Sequence, residues 1–396
     1  MSLFVFDRLI DASEFCNFKK ERESLLRQLN NNQCVKLFAP RNFGKTSLLK
    51  NIISTEWQDV NADKRIAIYV EFYSVKSHED ISLKLSIAFN QALSSKKTLG
   101  QKLNQIVQNL KFVRPTWKPP TDENSFGEFS IQSNSGAKYI PFEQLFAQIQ
   151  NLQIAGTFEF LIIFDEFQEI AHIAKAEAQL RECLQKLSPD IPIVICGSKE
   201  HLLQKIFHEP KRPFHNWGST LELKPILTSE YTEYINGKLS LVNLKINEEA
   251  SALLQQKLNF IPEQINRVCE FAASQFSGKN FREIKPIDIA PLLKKFISDS
   301  ESVYSMHFAQ LSASERAVIL AIANAGKIEK TNSKQFLKFI PSLTAASVNR
   351  IIIRLLDSSI LQRVAIDNKL HIQLEDPLFA LYIQESGLLL SLINND

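Results

Sequence analysis

Apolar positions along the chain change period several times, and each change predicts an element. Residues 18–30 put Leu25, Leu26 and Leu29 on one stripe, which predicts an amphipathic helix. Residues 34–38 are a short apolar run containing the β-branched Val35, which predicts a strand. The run ends in Ala39-Pro40-Arg41-Asn42-Phe43-Gly44, and a helix is predicted from Lys45 (KTSLLKNIIS). A second strand is predicted over 65–72, and an amphipathic helix over roughly 80–93. A further helix starts at Pro141. Residues 158–164 (FEFLIIF) are apolar in the manner of a parallel strand buried on both faces. A helix over about 168–187 and strands at 191–196 and 220–223 complete the series. Strands alternating with helices predict a parallel sheet with helices on both faces.

The pattern changes after Pro225. Residues 228–297 read as consecutive helices, LTSEYTEYINGKL, NEEASALLQQKL, PEQINRVCEFAASQF and IDIAPLLKKFI. Within 311–384, three helices precede two alternating strands, 361–366 and 370–374, with the turn signal Asp367-Asn368 between them. Three helices followed by a hairpin form a winged helix-turn-helix pattern. Residues 95–140 differ in composition, with Pro115, Pro119 and Pro120. They are read as a hairpin-like excursion with strands at 112–117 and 128–132. The expected organisation is an α/β core over 1–227, a helical region over 228–300 and a winged helix over 301–396.

Composition narrows the class. The chain has 396 residues, which suits two or three domains. It is 44% hydrophobic and 22% charged, with 46 basic and 43 acidic residues and a net charge of +3. That balance announces neither a nucleic-acid binder nor a membrane-surface binder, so any DNA contact would come from a local patch. Cys16, Cys34, Cys183, Cys196 and Cys269 are scattered, which argues against a disulfide framework or zinc site and for a reducing cytoplasm. The first residues, MSLFVFDRLIDASEF, are interrupted by charges and do not read as a signal peptide. No apolar run approaches the ~20 residues of a membrane helix. A cytoplasmic protein is expected.

Residues 39–46, A-P-R-N-F-G-K-T, follow the phosphate-loop pattern G-x-x-x-x-G-K-[ST], with Ala39 in place of the first glycine. Backbone N–H groups of such a loop and of the helix it opens cradle phosphate oxygens. Pro40, Arg41, Asn42, Phe43, Gly44, Lys45, Thr46 and Ser47 are therefore the candidate nucleotide-binding residues. Gly44 would let the backbone approach closely. Lys45 would reach the β- and γ-phosphates, the Thr46 hydroxyl would bind Mg²⁺, and Ser47 would help cap the helix. A glycine-lysine-threonine starting a helix by chance is the bland reading. The predicted strand before it and helix after it argue otherwise.

Residues 161–166, L-I-I-F-D-E, place two acids at a strand's carboxyl end, where ligands of open α/β sheets bind. Asp165 would hold Mg²⁺ directly or through water, and Glu166 would polarise the attacking water. Ser198, after the strand IPIVICG, is read two ways, as a γ-phosphate sensor and as an ordinary turn residue.

Together APRNFGKTSLL, LIIFDEFQEI, IVICGS and the late EDPLFALYI resemble the AAA+/STAND ATPases of archaeal and bacterial genomes, distant relatives of origin-recognition ATPases. The likeness runs from about Phe18 to Ile383. It implies a P-loop core, a helical lid and a winged helix, with ATP and Mg²⁺ as ligands and Phe18 near the adenine. The implied activity is ATP hydrolysis, which the loss of both family arginines would leave slow or reduce to an ATP-driven switch. Two departures stand out. Asn216 and Trp217 occupy the stretch where the family often carries an arginine, with Lys211 and Arg212 nearby. Glu263 stands where related lids place an arginine, with Arg267 one turn later.

The third helix of the winged region, TAASVNRIIIRLL, turns Val348, Ile351, Ile352 and Leu355 inward by spacing. Asn349, Arg350 and Arg354 would face outward, and Arg363 begins the wing. Arginine and asparagine are the side chains that read guanine and adenine. Residues 301–396 nevertheless carry nine basic and nine acidic residues, whereas DNA-binding domains show a basic excess. An ATP-regulated DNA-binding protein and a packing or autoinhibitory winged helix both remain open, as does a protein partner. His201, His208 and His215 recur every seven residues, but nothing beside them completes a metal set, and Mg²⁺ is the only metal expected.

Overall fold

The computed structural model describes residues 3–10, 14–16, 18–94, 114–118, 128–132, 141–278, 280–366 and 369–389. The chain divides into two compact units, one of Leu9–Lys224 and one of Met1–Arg8 with Pro225–Asp396. The first eight residues, placed by the sequence reading at the start of the core, thus group with the C-terminal half.

In the first unit, α1 (Lys19–Asn30) leads into β1 (Val35–Phe38). The helix after the phosphate loop has three parts. It starts as α2 (Lys45–Ser47), widens to a π-helical stretch over Leu48–Ile53 and ends as α3 (Ser54–Asp59). Both the backbone N–H and the hydroxyl of Ser54 reach the Leu49 carbonyl five residues back, the hydroxyl at 2.7 Å. Such single-turn widenings recur at functional sites. Next come β2 (Arg65–Glu71), α4 (His78–Ser94) and the strands β3 (Arg114–Lys118) and β4 (Glu128–Gln132), which pair antiparallel. Then follow α5 (Phe142–Ile154), β5 (Glu159–Asp165), α6 (Ala176–Gln185), β6 (Ile193–Cys196), α7 (Glu200–His208) and β7 (Ser219–Glu222).

The main sheet has five strands in the order β2-β5-β6-β1-β7, all parallel. Strand β5 is buried from Phe160 to Asp165, as an uninterrupted apolar run between two layers of helices should be. Strand β2 lies at the sheet edge, and its Ile66, Ile68 and Val70 face the core in simple alternation. Much of that core is aromatic. Phe72 stacks on Phe164 at 5.4 Å, Phe207 and Phe214 pack on Phe167, and Trp217 packs on Phe207 and Phe214. Fully burying one such ring stabilises by about 1.5–3 kcal/mol.

The helix expected over 168–187 is broken. A 3₁₀ turn spans Phe167–His172, Ile173 is extended, Lys175 is left-handed (φ 63), and α6 starts only at Ala176. The break lets Phe167 and Ile170 fill the core beneath the strand ends while α6 packs separately against α5.

The second unit contains α8 (Thr228–Leu239), β8 (Leu244–Ile246), α9 (Glu248–Lys257), α10 (Pro262–Phe276), β9 (Arg282–Ile284), α11 (Pro286–Asp299) and α12 (Glu301–Ala309). The short parallel pair β8–β9 has no counterpart in the sequence reading. After these come α13 (Ala313–Ala325), α14 (Lys334–Leu337), α15 (Ala345–Asp357), the hairpin β10 (Leu361–Ile366) with β11 (Lys369–Leu374), and α16 (Pro377–Glu385). The turn read at Asp367-Asn368 lies outside the described residues. Caps mark the helix starts. Ser312 and Glu315 form a capping box, Thr344 accepts from Ser347 N at 3.2 Å, and Asp376 accepts from Leu378 N at 2.9 Å ahead of Pro377. The EDPLF motif is thus a helix-start signal. The leading segment is pinned here, with Leu3 N and Phe4 N donating to Glu270 at 2.9 and 2.8 Å.

Candidate functional site

The phosphate loop connects β1 to α2. Asn42 (φ 60) and Gly44 (φ 80) are its left-handed positions, whereas Ala39 is not one. That explains why alanine is tolerated in place of the first glycine. Asn42 is a residue type that enters this region readily.

Lys45 is buried, with 6% of its surface exposed. Its ammonium donates to the carbonyls of Ala39 at 2.9 Å and Pro40 at 2.7 Å. Burial lowers its pKa, and Cys196, Asp165, Glu166 and Glu200 work against that shift. A buried cation bonded to neutral carbonyls, at the mouth of a loop rich in N–H groups, is electrostatically suited to an anion. Ser47 does not cap the helix. No side chain caps this helix, whose N-cap is Gly44, and the Ser47 hydroxyl instead accepts from Ile10 N at 3.2 Å.

The sheet order inserts β6 between β1 and β5, so the carboxyl ends of these strands converge. Asp165 is 1% exposed and receives a full set of donors. Thr46 Oγ1 donates to its Oδ2 at 2.9 Å, and the Tyr69 hydroxyl donates to the same oxygen. Glu166 N and Cys196 Sγ donate to Oδ1 at 2.8 and 3.1 Å. The Thr46 proton points to Asp165, which leaves the hydroxyl's lone pairs for a hard cation such as Mg²⁺. Thr46 and Asp165 are therefore joined directly at the strand ends.

Glu166 follows in left-handed conformation (φ 52), which swings its side chain off the strand axis. Its Oε2 accepts from Ser198 Oγ at 2.7 Å and from Gln168 Nε2 at 2.5 Å. Ser198 is thus hydrogen-bonded to the acidic strand end. Gly197 lies under the same cluster, where a β-carbon would come within 1.8 Å of Gln168 Oε1. Glu200, one turn beyond, has its pKa raised by burial and by Glu222.

Lys45, Thr46, Asp165, Glu166 and Ser198 are therefore brought together, with the loop residues Pro40, Arg41, Asn42, Phe43 and Gly44 around Lys45. Three neighbours escaped the sequence reading, namely Tyr69, Gln168 and Cys196. Tyr69 and Cys196 sat inside strand runs and read as core. Gln168 stood two residues after Glu166, a spacing that the predicted helix would have turned away.

The arginine departures resolve structurally. Trp217 is buried against Phe207 and Phe214, and Asn216 takes a left-handed turn, so that slot anchors the core. Arg212 is ion-paired with Glu177 and, at 3.3 Å, with Glu209. Arg267 donates to Gln264 at 3.1 Å, lies over the Phe296 ring at 5.8 Å and bears electrostatically on Tyr304 and Asp376.

In the winged region Val348, Ile351, Ile352 and Leu355 are buried as their spacing predicts. Asn349, Arg350, Arg354 and Arg363 are exposed, and Arg354 lies 4.0 Å from Glu315. Among the described residues no group of histidines, cysteines and acids forms a further metal cluster, and no helix is long and apolar enough to cross a membrane.

Residues 302–385 match a family described as a probable winged helix domain. No curated protein matches the chain significantly. Among solved structures, a Walker-type ATPase of Pyrococcus abyssi superimposes with a TM-score of 0.61 at 15% identity, covering 96% of this chain and 99% of that one. The ORC2 protein of Aeropyrum pernix, in ADPNP–ADP complexes, gives 0.55 at 13% identity, covering 97% and 98%. The chain therefore shares its fold with these two archaeal proteins, and residues 302–385 carry a winged helix.

Proposed function

We propose that the protein binds Mg-ATP at the phosphate loop and acts as a slow ATPase or ATP-dependent conformational switch. The observation that carries this reading is the convergence of a buried Lys45 ammonium, the Thr46–Asp165 hydrogen bond and the Ser198–Glu166 hydrogen bond at one set of strand ends. Lys45 and the loop N–H groups would hold the phosphates. Thr46 and Asp165 would hold magnesium, which when bound would neutralise charge developing on the phosphates. Glu166 would accept a proton from the attacking water at its carboxylate, while Ser198 and Gln168 fix that carboxylate's orientation through Oε2. The similar structures include a Walker-type ATPase and a protein in ADPNP–ADP complexes, which supports the nucleotide assignment by analogy of fold. Slow turnover is in keeping with Arg212, Asn216 and Trp217 all having structural roles.

Steady-state ATP hydrolysis tests the reading, with Glu166→Gln as the comparison. A drop of about 10²–10⁴-fold with nucleotide binding retained supports it. Equal turnover in the two proteins removes Glu166 from the role.

A second reading rests on the exposed Asn349, Arg350, Arg354 and Arg363, which could contact duplex DNA in an ATP-regulated manner. Salt-dependent duplex binding that Arg350→Ala/Arg354→Ala abolishes would support it, and no binding at low salt would remove it.

A further inference from the structure

Asp165 offers two oxygens and about four lone-pair sites. Four donors reach it, namely Tyr69 and Thr46 on Oδ2 and Glu166 N and Cys196 on Oδ1. A carboxylate so filled has no place left for a metal ion or for the water of a hydrated one. Some donor must leave when magnesium arrives. Glu166 N is fixed by the backbone. Thr46 keeps its bond to Asp165 while its own oxygen faces the cation. Cys196 is fully buried in the sheet centre and donates to the other oxygen.

Tyr69 differs from all three. It comes from the edge strand β2, two residues before Glu71, the register partner of Asp165. Two residues of strand span about 6.6 Å, a gap the length of a tyrosine side chain bridges and a serine or threonine does not. Its ring is half-buried and lies beneath the Lys50 ammonium at 5.5 Å. It also lines a cavity of about 260 Å³ with Lys50, Ala67, Lys84 and Gln91, which gives the phenol somewhere to go.

We propose that Tyr69 is a magnesium gate: its hydroxyl occupies the position on Asp165 Oδ2 that the metal or its hydration shell must take, and it withdraws toward the Lys50–Lys84 cavity when magnesium binds. Tyr69 then sets how much magnesium the site requires and acts on the metal through Asp165. This inference rests on the Mg-ATP reading above.

Binding of a fluorescent ATP analogue, measured over a magnesium titration, tests it in the full chain. Tyr69→Phe keeps the ring and removes only the competing hydroxyl. The expected result is half-saturation at about tenfold less magnesium than in the wild type, the scale of one lost hydrogen bond to a charged group, with magnesium-free affinity equal in both. An unchanged or raised magnesium requirement, with nucleotide binding intact, overturns the gate alone. No binding by the wild type at any magnesium concentration overturns the ATP reading and the gate with it.

Discussion

Ser198 donates its hydroxyl to Glu166 Oε2 at 2.7 Å, joining the end of β6 to the end of β5. The bond crosses between adjacent strands, so it depends on the sheet order and not on closeness in sequence. If Glu166 polarises water, Ser198 acts through it. Ser198→Ala should lower turnover roughly 10- to 100-fold, the range expected for a hydrogen bond to a charged group. In a Glu166→Gln background the same change should cost nothing further, because the two act as a unit. Additive losses in that double-mutant cycle would separate the two roles.

Gly197 tests the same cluster from below. A β-carbon there would overlap Gln168 Oε1 at 1.8 Å and press on Leu203 Cδ1 at 3.2 Å. Gln168 must then move, and it is the other donor to Glu166. Gly197→Ala should therefore reduce kcat by about tenfold or more while nucleotide affinity changes little, as a small misplacement of a catalytic group does. A fall in affinity with kcat unchanged would show that Gly197 serves the phosphate loop instead.

Much of this arrangement is legible in the residues themselves. The loop APRNFGKT, the strand FLIIFDE and the burial of Val348, Ile351, Ile352 and Leu355 all follow from local pattern, because one chemical demand or one helical period fixes each. What the pattern hides is lateral. Tyr69 and Cys196 reach Asp165 only because β2 and β6 flank β5, and strand order is not written in any single strand. Ser47 fits a cap by position, yet its hydroxyl goes to Ile10, a partner thirty-seven residues away. The helix break at Ile173 carries no proline or glycine, so periodicity ran straight through it.

Arg212 is the cation whose role the structure changes most. Its guanidinium pairs with Glu177, whose side chain is 9% exposed. Arg212→Ala should leave ATP turnover per folded molecule unchanged and lower stability by about 1–3 kcal/mol, the cost of an unsatisfied buried group, reduced by solvent at the 30% exposed arginine. The pH dependence has a definite sign. Burial already raises the Glu177 pKa against the pull of Arg212, and losing Arg212 raises it more. A carboxyl that binds its proton more tightly folded than unfolded favours folding at low pH, and this advantage is lost as pH climbs through the carboxylate range to the raised value. The variant's deficit should thus be largest near neutrality and shrink in acid. Urea unfolding at several pH values measures it. A pH-independent deficit, or lost turnover, would contradict the assignment.

Equilibrium binding of ATP with magnesium to the wild type and to Lys45→Ala tests whether Lys45 and its loop bind the phosphates of ATP. The wild type should bind saturably and the variant should lose about 100-fold or more in affinity, as removing a buried charged partner of a phosphate entails. Equal affinity in a folded Lys45→Ala protein would contradict it and move the nucleotide away from this loop.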